Sequence, residues 1–341
     1  MLEIEKDYSP INTNSVPVKR LKTGDEIPVI GLGTFGSDRF TSEQIANAVK
    51  EAISIGYRHI DCAEVYGNEK EIGKALKEVF DEGICKREEL FITGKVWNNR
   101  HGEVVLACQE SLDNLQLDYL DMYLVHWPFP NYHAPGCDGD SRNPDSKPFS
   151  VQEFLDTWKQ MESLVATQKV KNIGTSNMTV AKFEKVLPLM KILPAVNEME
   201  IHPCFQQREL FEYCLKKGIQ PIGYMPIGSP NRPLRDKAEG DSIDIEMPQI
   251  KAVAEKHGVH PAVICIKWAI KNGHITIPFS TNKDKFYNNL KASFDNPLTD
   301  DEYASINTCE CGSRLVKGQV FLWEGANDWK DLWDENGVIV S

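Results

Sequence analysis

Residues 57–79 read YRHIDCAEVYGNEKEIGKALKEV, and they hold one strand-and-helix unit. Tyr57–Asp61 is a short, mostly apolar run of strand type that ends on an acid, and residues 69–79 read as a helix. The same unit recurs on both sides. Upstream, Val29–Leu32 reads as a strand, and Ile45, Val49 and Ile53 then repeat every fourth residue in a helix opened by Thr41 and Gln44 at capping-box spacing. Downstream, strand Leu90–Lys95 precedes a helix with Val104, Cys108, Leu112 and Leu115 on one face. Strand Met122–His126 precedes a helix with Phe154, Trp158, Met161 and Val165, and Ser150 and Glu153 predict a second capping box at its start.

The alternation continues with strand Val170–Thr175 and helix 179–188, strand Ala195–Glu200 and helix 207–217, and strand Ile219–Tyr224 before helical segments 248–257 and 260–272. Strand Ile275–Pro278 and helix 284–293 complete the series. Eight units without a linker predict an α/β fold of the (β/α)8 TIM-barrel type, with active residues at the C-terminal ends of its strands. A doubly wound open sheet is the rival. Gly31-Leu-Gly33-Thr-Phe-Gly36 matches the GxGxxG pattern, but a lone match is weak, and Asp61 lies farther on than the ~20 residues of a dinucleotide fingerprint.

Three segments fall outside the repeat. Residues 16–28 alternate and turn at Thr23-Gly24-Asp25, which predicts a β-hairpin ahead of the barrel. Residues 128–149 form a long loop rich in Pro, Gly, Asp and Ser, on the C-terminal face. The tail 309–341 carries Phe321, Trp323, Trp329 and Trp333, too aromatic for a solvated end, and is expected to fold back onto the barrel. Residues 1–16 are thus an N-terminal extension and 17–341 one barrel domain.

The 341 residues suffice for a barrel of about 250 residues plus long loops. A formal charge of −12 and a pI near 5.2 speak against nucleic acid or an anionic membrane as partner. Nine scattered cysteines form neither a CxxC pair nor a disulfide framework. With no secretory leader and no apolar run of ~20 residues, the expectation is a soluble, cytoplasmic protein with reduced thiols, a monomer or a dimer.

Asp61, Lys95 and His126 each end a barrel strand, and Tyr66 lies five residues beyond Asp61. An acid, a phenol, an amine and an imidazole are therefore expected on one rim. Singly, each has an ordinary structural reading: a loop tie, a solvated lysine or tyrosine, a core histidine. Together they form coherent chemistry. A tyrosine with its ordinary pKa of ~10 exchanges protons poorly at neutral pH. A nearby ammonium favours the phenolate, and a carboxylate holds the ammonium in place. Tyr66 is thus the expected general acid or base toward a carbonyl or alcohol oxygen, with His126 orienting that oxygen.

Ile30–Phe35, Gly56–Glu69, Ile92–Asn98, Leu120–Pro128, Gly174–Asn177 and Pro194–Glu198 together resemble the aldo-keto reductase superfamily, most closely the branch of aldose, aldehyde and xylose reductases. The resemblance spans about residues 17 to 310. It implies hydride transfer between NAD(P)(H) and a carbonyl, with Asp61, Tyr66, Lys95 and His126 as the catalytic set. It further implies a cofactor bound across the rim by Gly33, Thr34, Phe35, Asp61, Ser176, Asn177, Glu198, Tyr224, Met225, Pro226, Ile227, Gly228, Ser229, Phe279, Ser280, Thr281, Lys285, Asn288 and Asn289. In that arrangement Ser176 and Asn177 meet the nicotinamide carboxamide, Tyr224 stacks on its ring, Gly228 and Ser229 cover the pyrophosphate, and the helix after Ser280 takes the adenosine phosphate. Phe35, Tyr66, Trp97, His126 and Trp127 are the implied substrate-pocket residues. No metal is implied.

Two departures from the family pattern bear on the cofactor. Glu198 stands where glutamine is usual, either accepting the same hydrogen bond or, as an anion, favouring oxidised nicotinamide. Phe279 replaces a lysine, and Lys285 replaces an arginine, so the contacts to a 2′-phosphate are reduced. NADP(H) is the expected cofactor, with NAD(H) or dual use as the alternative. Met225 also departs from the family's small polar residues, and nothing in the sequence explains it.

The expected activity is reversible reduction of an aldehyde, aldose or ketone. Alternatives are an NAD(P)+-favouring alcohol or polyol dehydrogenase and a cofactor-binding sensor or scaffold with low turnover. A metal-dependent hydrolase on the same barrel would need clustered ligands, yet His59, His126 and His202 offer no HxH or HExxH spacing. The tail departs from those of the well-known aldose and xylose reductases, so the substrate stays open.

Overall fold

In the computed structural model, residues 8–36, 39–130, 146–232 and 237–340 are described. A hairpin comes first: β1 (Val18–Arg20) pairs antiparallel with β2 (Glu26–Pro28) around Gly24, whose φ of +102° suits only glycine. Leu21 and Ile27 of the hairpin are buried with Phe91, Val196, Ile222 and Ile275, which begin or lie early in the barrel strands, so the hairpin seals the barrel's N-terminal end.

Eight parallel strands follow in sequential order: β3 (Leu32–Gly33), β4 (His59–Asp61), β5 (Phe91–Val96), β6 (Leu120–Val125), β7 (Val170–Ser176), β8 (Val196–Glu200), β9 (Gln220–Tyr224) and β10 (Ile275–Thr276). Sequential order is the outcome when each crossover is right-handed and short. The ring closes at the first and last strands. Ile30 bridges Thr276 in parallel, and the Gly31 and Gly33 N–H groups donate to Thr276 O and Pro278 O at 2.9 and 3.1 Å.

This closure explains the glycine-rich run. A Cβ at Gly31 would sit 2.5 Å from His59 Nδ1, one at Gly33 2.8 Å from Ile277 O, and one at Gly36 2.3 Å from the Phe279 ring. Gly33 and Gly36 let the barrel seam approach closely, and Gly31 makes room for the buried His59 ring of β4. The seam also shifts the first strand from the expected 29–32 to Leu32–Gly33 and shortens the last from 275–278 to Ile275–Thr276.

The helices alternate with the strands: α1 (Ser42–Ile55), α2 (Glu69–Asp81), α3 (Val104–Leu115), α4 (Val151–Ala166), α5 (Val180–Val186), α6 (Arg208–Lys217), α7 (Pro248–His257), α8 (Pro261–Asn272) and α9 (Lys283–Lys291). Their apolar faces and the strands' outer faces make the main core. Thr41 and Gln44 form the expected reciprocal capping box. At Ser150 only half of one forms: its hydroxyl accepts from Glu153 N, while the Glu153 carboxylate pairs with Lys147 at 3.7 Å.

Two further elements complete the chain. α10 (Asp300–Asn307) is absent from the sequence-based expectation, although Thr299 and Glu302 cap it reciprocally. The tail, with α11 (Lys330–Trp333), buries Phe321, Trp323, Leu332 and Trp333 against Trp127 and Phe129. It is pinned by a buried ion pair, Lys182 Nζ to Asp334 Oδ2 at 2.6 Å. Most of the long loop expected at 128–149 lies outside the described residues. Among the described residues no helix is long and apolar enough to cross a membrane, and the eight described cysteines are free thiols.

Candidate active site

Asp61 ends β4, Lys95 is the penultimate residue of β5, and His126 follows β6, so barrel geometry brings their side chains to one rim. Tyr66 arrives from a 3-10 turn, Glu64–Tyr66, that follows β4. Glu64 anchors that turn: its carboxylate accepts from Trp97 N at 3.3 Å and pairs with Arg100 at 3.0 Å.

Lys95 is the centre. Its side chain is wholly buried, and Nζ lies 2.5 Å from Asp61 Oδ2, 3.2 Å from Cys62 O, 3.4 Å from the Tyr66 hydroxyl and 3.4 Å from Glu198 Oε1. Burial opposes the ammonium, but the Asp61 and Glu198 carboxylates and the Tyr66 oxygen outweigh it and hold the Lys95 pKa well above its ordinary value. Burial raises the Asp61 carboxyl while Lys95 pulls it down. Burial likewise raises the Tyr66 phenol, and the pull of Lys95 toward phenolate, expected from the sequence, is the smaller of the two. His126 is driven well below its ordinary value by burial and by the Lys95 charge, so its imidazole is neutral at physiological pH.

Aromatic rings wall the site. Phe35 packs on Tyr66 at 5.2 Å between centroids, Tyr66 on His126 at 5.8 Å edge to face, and Trp97 on His126 at 5.1 Å. Trp127 is buried and meets Phe129, Phe321 and Trp333, so it backs the tail. Phe321, not singled out from the sequence as a site residue, packs on Trp97 at 5.8 Å and carries the tail to the pocket wall. Only the aromatic density of the tail hinted at it.

Several residues expected at the cofactor also meet here. Asn177, in a left-handed conformation (φ +59°), donates to His126 O at 2.9 Å and to Ser176 Oγ at 3.1 Å, and accepts from the Tyr224 hydroxyl at 2.7 Å. Thr34 donates to Asp61 O at 2.8 Å and accepts from Asn68 Nδ2 at 2.9 Å. Met225, Gly228 and Ser229 form a turn after β9 with positive φ at all three, and Pro226 and Ile227 lie between them. A Cβ on Gly228 would collide with Asp244 Oδ1, at 2.1 Å.

The remaining cofactor candidates form a second group at the barrel seam. Phe279 packs on Phe40 and against Gly36. Ser280 caps the turn into α9 by accepting from Asn282 N at 3.0 Å. Asn282 caps α9 itself, whose first turn carries the exposed Lys283 and Lys285 with Asp284 between them, with Thr281 just before it and Asn288 and Asn289 farther along.

Fold and site together are those of a barrel oxidoreductase. The family model described as the aldo/keto reductase family matches residues 29–310. The chain belongs to the aldo/keto reductase family. It is 38% identical to an aldo/keto reductase of Synechocystis sp., over 94% of this chain and 98% of that one. It is 41% identical to aldo-keto reductase family 1 member A1 of Xenopus tropicalis (89% and 91% covered) and 39% identical to an aldose reductase of Encephalitozoon cuniculi (87% and 95%). A Bombyx mori aldo-keto reductase solved in complex with NADP superposes with a TM-score of 0.78 at 33% identity, covering 88% of this chain and 95% of that one.

Proposed function

We propose that the protein reversibly reduces an aldehyde, aldose or ketone to the alcohol with a nicotinamide cofactor, NADP(H) in preference to NAD(H), and with Tyr66 as general acid and base. The observation that carries this is the buried Lys95 ammonium lying between the Asp61 carboxylate and the Tyr66 hydroxyl.

The residues fit a dinucleotide in three ways. Tyr224 offers a half-buried ring on the rim. Glu198 Oε2 is buried with no hydrogen-bond partner, a polar atom open to an incoming polar group. The capped N-terminus of α9, with Lys283 and Lys285, suits a phosphate. When bound, the cofactor supplies or takes the hydride. Tyr66 gives its hydroxyl proton to the carbonyl oxygen during reduction and takes one from the alcohol during oxidation. Lys95 stabilises the phenolate so produced, and Asp61 keeps Lys95 charged and in place. Neutral His126 keeps one ring N–H for donation to the same oxygen. Phe35, Trp97 and Phe321 limit water around the reacting atoms.

The pairing of NADP(H) with this chain rests on the Bombyx mori relative's NADP and on the two lysines of α9. The substitution at Phe279 favours the alternative of dual use. Absorbance at 340 nm with NADPH and NADH, across a panel of aldoses, hydroxyaldehydes and ketones, tests the reading. Tyr66→Phe should lose about 10²–10⁴-fold in kcat while still binding cofactor. Near-normal turnover by that variant would move the acid role to His126.

A further inference from the structure

Lys95 meets one more oxygen than it has protons to donate. An ammonium carries three N–H donors, while four oxygens surround Nζ: Asp61 Oδ2 at 2.5 Å, Cys62 O at 3.2 Å, and the Tyr66 hydroxyl and Glu198 Oε1, both at 3.4 Å. Asp61, Cys62 O and the Tyr66 hydroxyl accept the ammonium's three hydrogen bonds, while Glu198 Oε1 pairs with it by charge, at the same distance as the Tyr66 hydroxyl. Glu198 comes from β8, separated from β5 in the sheet by β6 and β7, so this contact reaches across the barrel mouth instead of between neighbouring strands. Its backbone is fixed as well: Asn177 N donates to Glu198 O at 2.8 Å, and Glu198 is in register with Ser176 on β7 and Ile222 on β9.

We propose that Glu198 is a positioning residue of the reaction, a second carboxyl that shares the Lys95 ammonium with Asp61 and thereby governs how strongly that ammonium acts on the Tyr66 hydroxyl. This rests on the assignment of Tyr66 as the proton-transfer group. A glutamine at this position would lack the charge to compete with Tyr66.

The charges around Tyr66 isolate the effect. His126 and His59 are held neutral by burial and by the Lys95 charge, His59 down to about 3. Burial raises the Cys62 thiol and the Tyr224 phenol, so both keep their protons. Among the described residues, Lys95, Asp61 and Glu198 are the charges that act most strongly on Tyr66, while Glu200 and Arg314 act on the neighbouring Tyr224, and Glu64 pairs with Arg100 on the Tyr66 turn. Burial, then the nearby Asp61 carboxylate, pushes the Glu198 carboxyl up, so it passes from neutral acid to anion as the solution becomes alkaline. Once ionised it draws on Lys95 and opposes the Tyr66 phenolate. Glu198 thus keeps Tyr66 in its protonated, carbonyl-reducing form to higher pH.

The test is the pH profile of kcat/KM for reduction and oxidation in the wild type, Glu198→Gln and Glu198→Asp. With the competing charge gone, the alkaline limb in Glu198→Gln should move to lower pH by roughly one unit or more. Glu198→Asp, which keeps the charge but shortens the reach, should lie between. An alkaline limb at the wild-type position in Glu198→Gln overturns the proposal, and if that variant does not fold, an unmoved limb in Glu198→Asp does so.

A readout independent of turnover is the carboxyl carbon resonance of Glu198 in cofactor-free protein with 13C-labelled glutamate. Its titration midpoint should rise in Lys95→Met, and an unchanged midpoint would show that the two groups are uncoupled. Tyr66→Phe separates the two readings: if it retains turnover, the Tyr66 assignment fails. If it loses turnover while the Glu198→Gln limb stays in place, only the role of Glu198 fails.

Discussion

At the scale of single residues, the site is an arrangement of charge in a place without water. Lys95 and Asp61 are almost wholly buried, and each is tolerated because the other is there. Removing one partner of such a pair costs about 3–5 kcal/mol, since the other is left as an uncompensated charge. Lys95→Met should therefore lower stability as well as activity. Without the ammonium, burial holds the Asp61 carboxyl above its unfolded value, so the folded state prefers the neutral acid. The penalty is then small below pH ~4, where the unfolded chain is protonated too, and grows as pH rises toward the raised folded value. Denaturant midpoints at acid and neutral pH would reveal this slope, and Lys95→Met/Asp61→Asn should recover part of the loss at neutral pH. A penalty independent of pH would mean that lost packing, not the stranded carboxylate, is responsible.

At the scale of elements, helix positions are set by close approaches that periodicity cannot register. Gly73 lies inside α2, where glycine is intrinsically unfavourable by about 1 kcal/mol relative to alanine. Its place is explained by α3: a Cβ there would lie 2.2 Å from Asn114 O, a backbone atom that cannot swing aside. Gly73→Ala should accordingly destabilise by about 1–3 kcal/mol despite the gain in helix propensity, as read from the denaturation midpoint. A stabilised variant would show that α2 and α3 separate freely. The seam glycines follow the same logic. Gly31, Gly33 and Gly36 imitate a dinucleotide fingerprint in one dimension, yet what they accommodate is His59, Ile277 and Phe279.

At the scale of the whole molecule, the tail is attached by charge as well as by aromatic packing. Asp334 accepts from Lys182 at 2.6 Å and also bonds the Thr179 hydroxyl, while Lys182 donates to Leu332 O at 2.8 Å, all in the interior. Arg314 lies over the Trp333 ring at 3.6 Å, and Glu200 accepts from Leu315 N and Val316 N at 2.8 and 2.9 Å. Asp334→Ala strands the Lys182 ammonium and should cost about 3–5 kcal/mol. It should also loosen the segment carrying Phe321, so tryptophan fluorescence and protease sensitivity of residues 315–340 should change before the barrel unfolds. A tail that stays protected in that variant would mean the aromatic cluster alone holds it.

The sequence by itself determined the eight-fold alternation, because hydrophobic periodicity and caps are local and each unit buries its face in the same way. It also brought Asp61, Tyr66, Lys95 and His126 to one rim, because strand ends are legible from where apolar runs stop and a parallel barrel puts all those ends on one side. The tertiary structure decided what depends on distances between strands far apart in the chain. Among these are the closure that claims the glycines, the tail ring of Phe321 against Trp97, the burial that outweighs Lys95 in setting the Tyr66 phenol, and the reach of Glu198 across the mouth to Lys95. A sequence lists charges, but their desolvation and their mutual distances exist only once the barrel has closed around them.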